Sequence, residues 1–291
     1  MFTDNPTIPI QLETLLDVLH TMKGRKATRD AIIQLLQPRG LPDVTTGSKQ
    51  AANHLHAASE LGLISAGEDG SLRLTYRQTS QHDAKSAILA AFDQVALGSA
   101  KVEFWAGRFY GFLIGREEAS IATDLAVAAR LTAEFMDGLA PHIDRGNPMN
   151  PDKFRALMRW YPYVGLGWMD PAGAFAPDPT VRLARALPSI WQGERSLDAD
   201  VFMARLAKAC PELDGGTLFL EGRGGRSLEG RVCTQALATA LRSLHASGSI
   251  RLHCPADSQG WRLERAGAGV VLGEASNRFS IVERIDQRVG Q

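Results

Sequence analysis

Apolar side chains at Ile10, Leu12, Leu15, Leu16, Val18, Leu19 and Met22 recur at helical spacing and predict a first helix ending near Gly24. Thr28 is placed to cap a second helix whose inward residues are Ile32, Ile33, Leu35 and Leu36, with Pro38 and Gly40 stopping it. A third helix follows, capped at Ser48, with Ala51, Ala52, Leu55, Ala58 and Leu61 as its apolar face and Gly62 at its end. The chain then alternates as a hairpin: Leu63-Ile64, a turn at Gly67-Glu68-Asp69-Gly70, and Leu72-Arg73-Leu74-Thr75-Tyr76. Three short helices followed by a hairpin have the order of a winged helix-turn-helix.

A comparable order returns near the other end. Leu197 to Ala209 predicts an amphipathic helix broken by Pro211 and Gly215-Gly216, and Leu218-Phe219-Leu220 reads as a short strand. Arg231 to Ala246 predicts a second helix, and Ile250-Arg251-Leu252-His253 with Trp261-Arg262-Leu263 predicts a wing hairpin. The helix endings match in kind, Leu61-Gly62-Leu63-Ile64 beside Ser247-Gly248-Ser249-Ile250. Between the two modules, Ala84 to Leu97, Ile121 to Leu139, Pro151 to Trp160 and Thr180 to Leu187 predict helices. The expected fold is therefore mainly α with small β-hairpins, two winged-helix modules flanking a helical middle domain. Its divisions are 1–80, 81–190, 191–265 and a terminal appendage over 266–291, with an extra strand near Phe279 to Val282.

Composition narrows the function. With 32 basic and 32 acidic side chains the formal charge is zero, which removes the simple electrostatic case for non-specific nucleic-acid binding. Locally, Glu221 to Arg265 carries seven arginines against four acids, leaving +3, while residues 1–80 hold eight of each sign. Cys210, Cys233 and Cys254 are too far apart for a disulfide framework or a metal knuckle. Met1 to Pro6 lacks the basic and apolar regions of a signal peptide, so a cytoplasmic protein is expected.

The candidate chemistry is sparse. Gly222-Arg223-Gly224-Gly225-Arg226 lacks the terminal Gly-Lys-Ser/Thr of a phosphate loop. Asp214 before an expected strand ending in Glu221 and Arg223 has the outline of a Mg²⁺-dependent nuclease. The spacing is short, however, and arginine replaces lysine, so a turn Asp and an ion-pairing Glu explain these residues better. His54 and His56 are two apart on a helix and do not form a metal pair. No catalytic residue, metal ligand or cofactor is expected, and the aromatics from Trp160 to Trp168 read as core rather than as a base-stacking platform.

If the modules meet DNA, their last helices supply the contacts. The first offers Lys49, Gln50, Asn53, His54 and His56, with Lys23, Arg25, Lys26 and Arg29 for backbone phosphates. The second offers Arg231, Thr234, Gln235, Thr239, Arg242 and His245. Winged helices also serve as protein–protein adaptors, so the fold alone does not decide between these roles. A stand-alone transcriptional regulator, which would bind as a symmetric dimer, is the alternative.

Several less common stretches point further: Arg159 to Trp168, Pro177-Asp178-Pro179-Thr180, Ala186-Leu187-Pro188, Pro211 to Gly216, and Ala236 to Leu244 followed by Gly248. This succession resembles the DpdG family, encoded with the bacterial system that inserts 7-deazaguanine derivatives into DNA and restricts unmodified DNA. The resemblance implies a non-catalytic, DNA-binding or adaptor subunit in phage defence. Its partners would be double-stranded DNA or helicase-like and nuclease-like proteins, and it transfers no catalytic residues.

Overall fold

The computed structural model describes residues 7–22, 26–36, 44–77, 83–97, 105–116, 118–140, 142–144, 146–263 and 277–285, and along the third helix its side chains from Gln50 onward. In chain order the first elements are α1 (Pro9–Thr21), β1 (Lys26–Ala27), α2 (Arg29–Leu36), α3 (Val44–Glu60), β2 (Ile64–Ala66), β3 (Leu72–Leu74) and α4 (Ala84–Ala91). Next come α5 (Ala106–Ile114), α6 (Leu125–Gly138), α7 (Pro151–Val164), β4 (Gly167–Met169), β5 (Phe175–Pro177), α8 (Thr180–Trp191), β6 (Ser196–Asp198) and α9 (Ala199–Ala209). The last are α10 (Thr217–Gly222), β7 (Val232–Cys233), α11 (Gln235–Ala246), β8 (Ile250–His253), β9 (Trp261–Leu263), β10 (Arg278–Phe279) and β11 (Ile281–Arg284). The protein is thus rich in helix with small, mostly antiparallel sheets.

Contacts divide the chain into two units, one of residues 1–99 with 150–163 and one of 100–149 with 164–291. Residues 81–99 and 150–163 fall in the first unit, and 100–149 and 164–190 in the second.

In the first unit, α1 buries Leu12, Leu15, Leu16 and Leu19, and Ile32 of α2 and Leu55 of α3 complete the centre. Thr28 caps α2 as expected, its Oγ1 accepting from the Ala31 N–H at 3.2 Å. Helix α3 starts at Val44, four residues before the expected Ser48 cap, so Thr45 to Gly47 are helical despite weak propensity. It ends where Gly62 turns left-handed (φ +68°) and the Leu63 N–H reaches back to the Ala58 carbonyl at 2.8 Å. The predicted hairpin forms, with Ile64 opposite Leu74, and β1 adds to it in the order β1-β3-β2. In the same unit Trp160 stacks on Phe92 at 5.1 Å and donates its indole N–H to the Thr7 carbonyl.

The second unit departs further from expectation. Strands β8 and β9 do not pair with each other. The C-terminal strands take their edges instead: β10 pairs β9 (Arg278 opposite Arg262), and β11 pairs both β8 (Val282 opposite Leu252) and β6 (Val282 opposite Leu197). The expected wing hairpin is therefore replaced by two three-stranded sheets, and the expected appendage supplies Phe279 and Val282 to the core. Edge strands with unsatisfied backbone groups are natural acceptors of such an added strand.

Leu218-Phe219-Leu220 is not a strand but lies in helix α10. A short apolar run carries no period that separates the two forms. Its partner α5 is buried along almost its whole length. Gly107, Gly111 and Gly115 stand one turn apart on it, and a Cβ on Gly111 would lie 2.6 Å from the Phe219 Cα. The missing side chains are what let the two helix backbones touch.

Candidate nucleic-acid interface

Helix α3 keeps one polar stripe open. Gln50 and His56 are exposed and Asn53 is half-buried, spaced so that they share a face, while Ala51, Leu55, Ala57 and Ala58 point inward. Gln50 also lines a cavity of about 170 Å³ with Gln11, Thr14, Leu36 and His54. His56 faces Glu60 at 3.4 Å along the helix.

His54 belongs to the interior, contrary to the sequence expectation. It is 3% exposed, with Nδ1 2.6 Å from the Gln50 carbonyl and Nε2 accepting the Ile8 N–H at 3.4 Å. Burial lowers its pKa, opposed by the Gln50 carbonyl, so the ring ties α3 to the start of α1 as a neutral strut. The Lys49 side chain, Lys23 and Arg25 lie outside the described residues.

The hairpin tip is electrostatically closed. Asp69 accepts Lys26 Nζ at 3.0 Å, faces Arg73 at 3.6 Å, and takes both the hydroxyl and the N–H of Ser71. The Ser71 hydroxyl and then Lys26 hold its carboxyl well below the usual range. Both nearby cations are thereby paired inside the unit.

In the second unit, most of α11 is packed against its neighbours. Ala236, Leu237, Ala238, Ala240, Leu241 and Leu244 are buried, which covers it on more than one side. Two of its candidates are corrected by the same burial. Thr234 is 2% exposed and caps the helix, its hydroxyl accepting from Leu237 N–H while its own N–H and hydroxyl donate to Asp214 at 2.7 Å each. Arg242 is 7% exposed and donates to the Leu263 carbonyl and Asn277 Oδ1. Arg231 is exposed but engaged with Asp200 at 2.5 Å and with the Gln259 carbonyl, and the Trp261 indole N–H shares Asp200. Gln235 and Thr239 are half-buried and line a narrow cleft of about 120 Å³ beside Trp168. The local +3 charge therefore does not form an open basic face on α11.

The nuclease outline also dissolves. Asp214 is fully buried against Thr234, and Glu221 leaves a helix to pair with Arg108. Desolvation pushes the Asp214 carboxyl up to about 6, against the lowering effect of the Thr234 bonds and the Arg223 charge. Trp160 and Tyr161 are core, whereas Trp168 is 52% exposed. Among the described residues no group of three His, Cys, Asp or Glu side chains is placed to hold a metal ion, and no helix is long and apolar enough to cross a membrane.

The first unit thus presents a polar helix face beside a three-stranded sheet, and the second a helix-rich body in which Thr234 and Arg242 are buried and Gln235 and Thr239 half-buried. The chain belongs to the DpdG-like family, whose model matches residues 2–258. No curated protein matches it. Among solved structures it is similar to the restriction endonuclease FokI at 15% identity, over 68% of this chain and 49% of that one, with a TM-score of 0.27. The chain spans about half the length of that endonuclease.

Proposed function

We propose that this protein is a non-catalytic subunit on the restriction side of the bacterial system that places 7-deazaguanine derivatives in DNA, and that its first unit is a winged helix that meets duplex DNA. Family membership supports the place in that system. The order helix, strand, helix, helix, strand, strand, with the sheet β1-β3-β2, supports the winged-helix reading. The observation that carries the DNA contact is the open stripe Gln50–Asn53–His56 on the last helix of that unit. Gln and Asn side chains pair in bidentate fashion with adenine edges, and an exposed histidine reaches phosphate or base. Contact through so few groups implies modest affinity of its own, completed by helicase-like or nuclease-like partner proteins.

An adaptor role suits the second unit, because α11 is packed along most of its length and its half-buried Gln235 and Thr239 line a narrow cleft rather than an open face. Titration of labelled duplex, unmodified and 7-deazaguanine-substituted, by the full chain at several salt concentrations tests the proposal. Binding that weakens as salt rises is expected. Absence of binding at low salt would leave the adaptor role alone, and Mg²⁺-dependent cleavage by the purified chain would overturn the non-catalytic reading.

A further inference from the structure

Where α5 ends, the second unit holds a cavity of about 310 Å³ lined by Phe112, Gly115, Arg116, Glu134, Arg223 and Arg226 among others. It belongs to the second unit, and none of the residues proposed above to meet DNA lines it. We propose that this cavity is an anion site that takes a phosphate group of a small nucleotide or of a nucleic-acid strand end.

Three observations support the assignment. First, two guanidinium groups lie over aromatic rings. Arg223 Cζ is 5.1 Å from the Phe219 centroid and Arg116 Cζ is 5.3 Å from that of Phe112. A cation held over a ring keeps N–H donors that can meet an oxyanion.

Second, Arg223 Nη1 is buried and has no hydrogen-bond acceptor. A buried donor without a partner is costly and calls for a ligand or solvent oxygen. Neighbouring carboxylates are already committed: Glu221 to Arg108, and Asp214 to Thr234. Glu134, the acid that lines the cavity, is shared by Arg116 and Arg130, and Glu118 also holds Arg116. Four arginines (116, 130, 223, 226) against two glutamates leave the cluster at +2.

Third, the wall is built to keep Arg223 in place. A Cβ on Gly115 would lie 2.7 Å from Arg223 Cδ, so only glycine leaves room for that side chain as it stands. Gly224 and Gly225 both turn left-handed (φ +68° and +84°), which folds the loop back toward Gly138 and brings Arg226 to the rim. The glycine-rich stretch thus acts through its arginines rather than as a phosphate loop, which explains why the phosphate-loop pattern did not reveal it. At this volume the cavity holds a small phosphorylated group and not a duplex.

Isothermal titration of the full chain at low salt tests the site with three probes: inorganic pyrophosphate, a 5′-phosphorylated tetranucleotide and its 5′-hydroxyl counterpart. Pyrophosphate is expected to bind, and Arg226→Gln, an exposed position, to weaken it at least fivefold with an unchanged melting temperature. Gly115→Ala, which displaces Arg223, is expected to weaken it similarly, while Arg251→Gln elsewhere on the surface leaves it intact. Tighter binding of the phosphorylated strand than of pyrophosphate, with none by the hydroxyl strand, assigns the strand end as the source. Equal binding of both phosphorylated probes assigns a free nucleotide. Absence of pyrophosphate binding, or equal loss in Arg251→Gln and Arg226→Gln, would overturn the site.

Discussion

Arg108 Nε and Glu221 Oε2 meet at 2.7 Å although 113 positions separate them in the chain, and Arg108 is only 3% exposed. The pair fastens α5 to α10 at the point where their backbones are closest, since a Cβ on Gly222 would lie 2.1 Å from the Arg108 carbonyl. Removing one partner strands a buried charge, and Arg108 Nη1 already lacks an acceptor. Glu221→Ala should therefore destabilise the fold by about 3 kcal/mol. Urea unfolding reads this as a lower midpoint, and Arg108→Met in the same background should restore part of it. A variant as stable as the parent would contradict the structural role of Glu221.

Close approach of α5 and α10 makes a second, steric prediction. Alanine normally improves a helix by about 1 kcal/mol over glycine. At Gly111 the new methyl would meet the Phe219 backbone, so Gly111→Ala should cost about 1–3 kcal/mol instead. Gly138 has nothing within 4 Å of its Cβ position, and Gly138→Ala should be neutral or slightly stabilising. Thermal melting of the two variants side by side checks the contrast.

Asp214 gives a pH prediction of unusual sign. Its carboxyl is raised to about 6 from 3.8, so between these values the folded chain keeps a proton that the unfolded chain has lost. Stability from this group is full below about pH 4 and falls as pH rises to about 6, by roughly 3 kcal/mol. The difference between the parent and Asp214→Asn, followed by denaturant unfolding from pH 4 to 7, isolates the group from other carboxylates. A difference that does not vary with pH would contradict it.

The legible parts of the fold were those whose cause is local. Helix α1 follows from its leucine spacing, α2 from Thr28, and the ends of α3 and α11 from Gly62 and Gly248. In both endings the residue after the glycine bonds back five positions, Leu63 to Ala58 and Ser249 to Leu244. Illegible parts depend on distant partners. Thr234 and Arg242 look like the exposed polar face of a helix until Asp214 and Asn277 are brought to them. The alanines 236, 238 and 240 were the available signal, since small residues on several sides of a helix allow neighbours to close on all of them. Gly107, Gly111 and Gly115, four residues apart, mark the stripe by which α5 and its C-terminal end meet their neighbours. Of the candidate interface, Gln50 and Asn53 stay on an open or half-open face, while His54 is withdrawn inside by its two backbone partners.

Arg242 and Arg231, both sequence candidates for DNA contact, should separate by stability. Arg242→Ala removes a buried donor to Leu263 and Asn277 and should cost about 2 kcal/mol. Arg231→Ala breaks a half-exposed pair with Asp200 and should change stability by less than about 1 kcal/mol. Denaturant midpoints of the two variants decide, and equal losses would contradict the burial difference.

The central claim, that duplex DNA is met by α3 of the first unit and not by α11, is tested most directly by anisotropy titration of labelled duplex at fixed low salt. The triple variant Gln50→Ala/Asn53→Ala/His56→Ala should lose at least tenfold in affinity with its melting temperature retained, while Gln235→Ala/Thr239→Ala keeps the parent value. Undiminished affinity in the triple variant, or a loss confined to the α11 pair, would contradict the account.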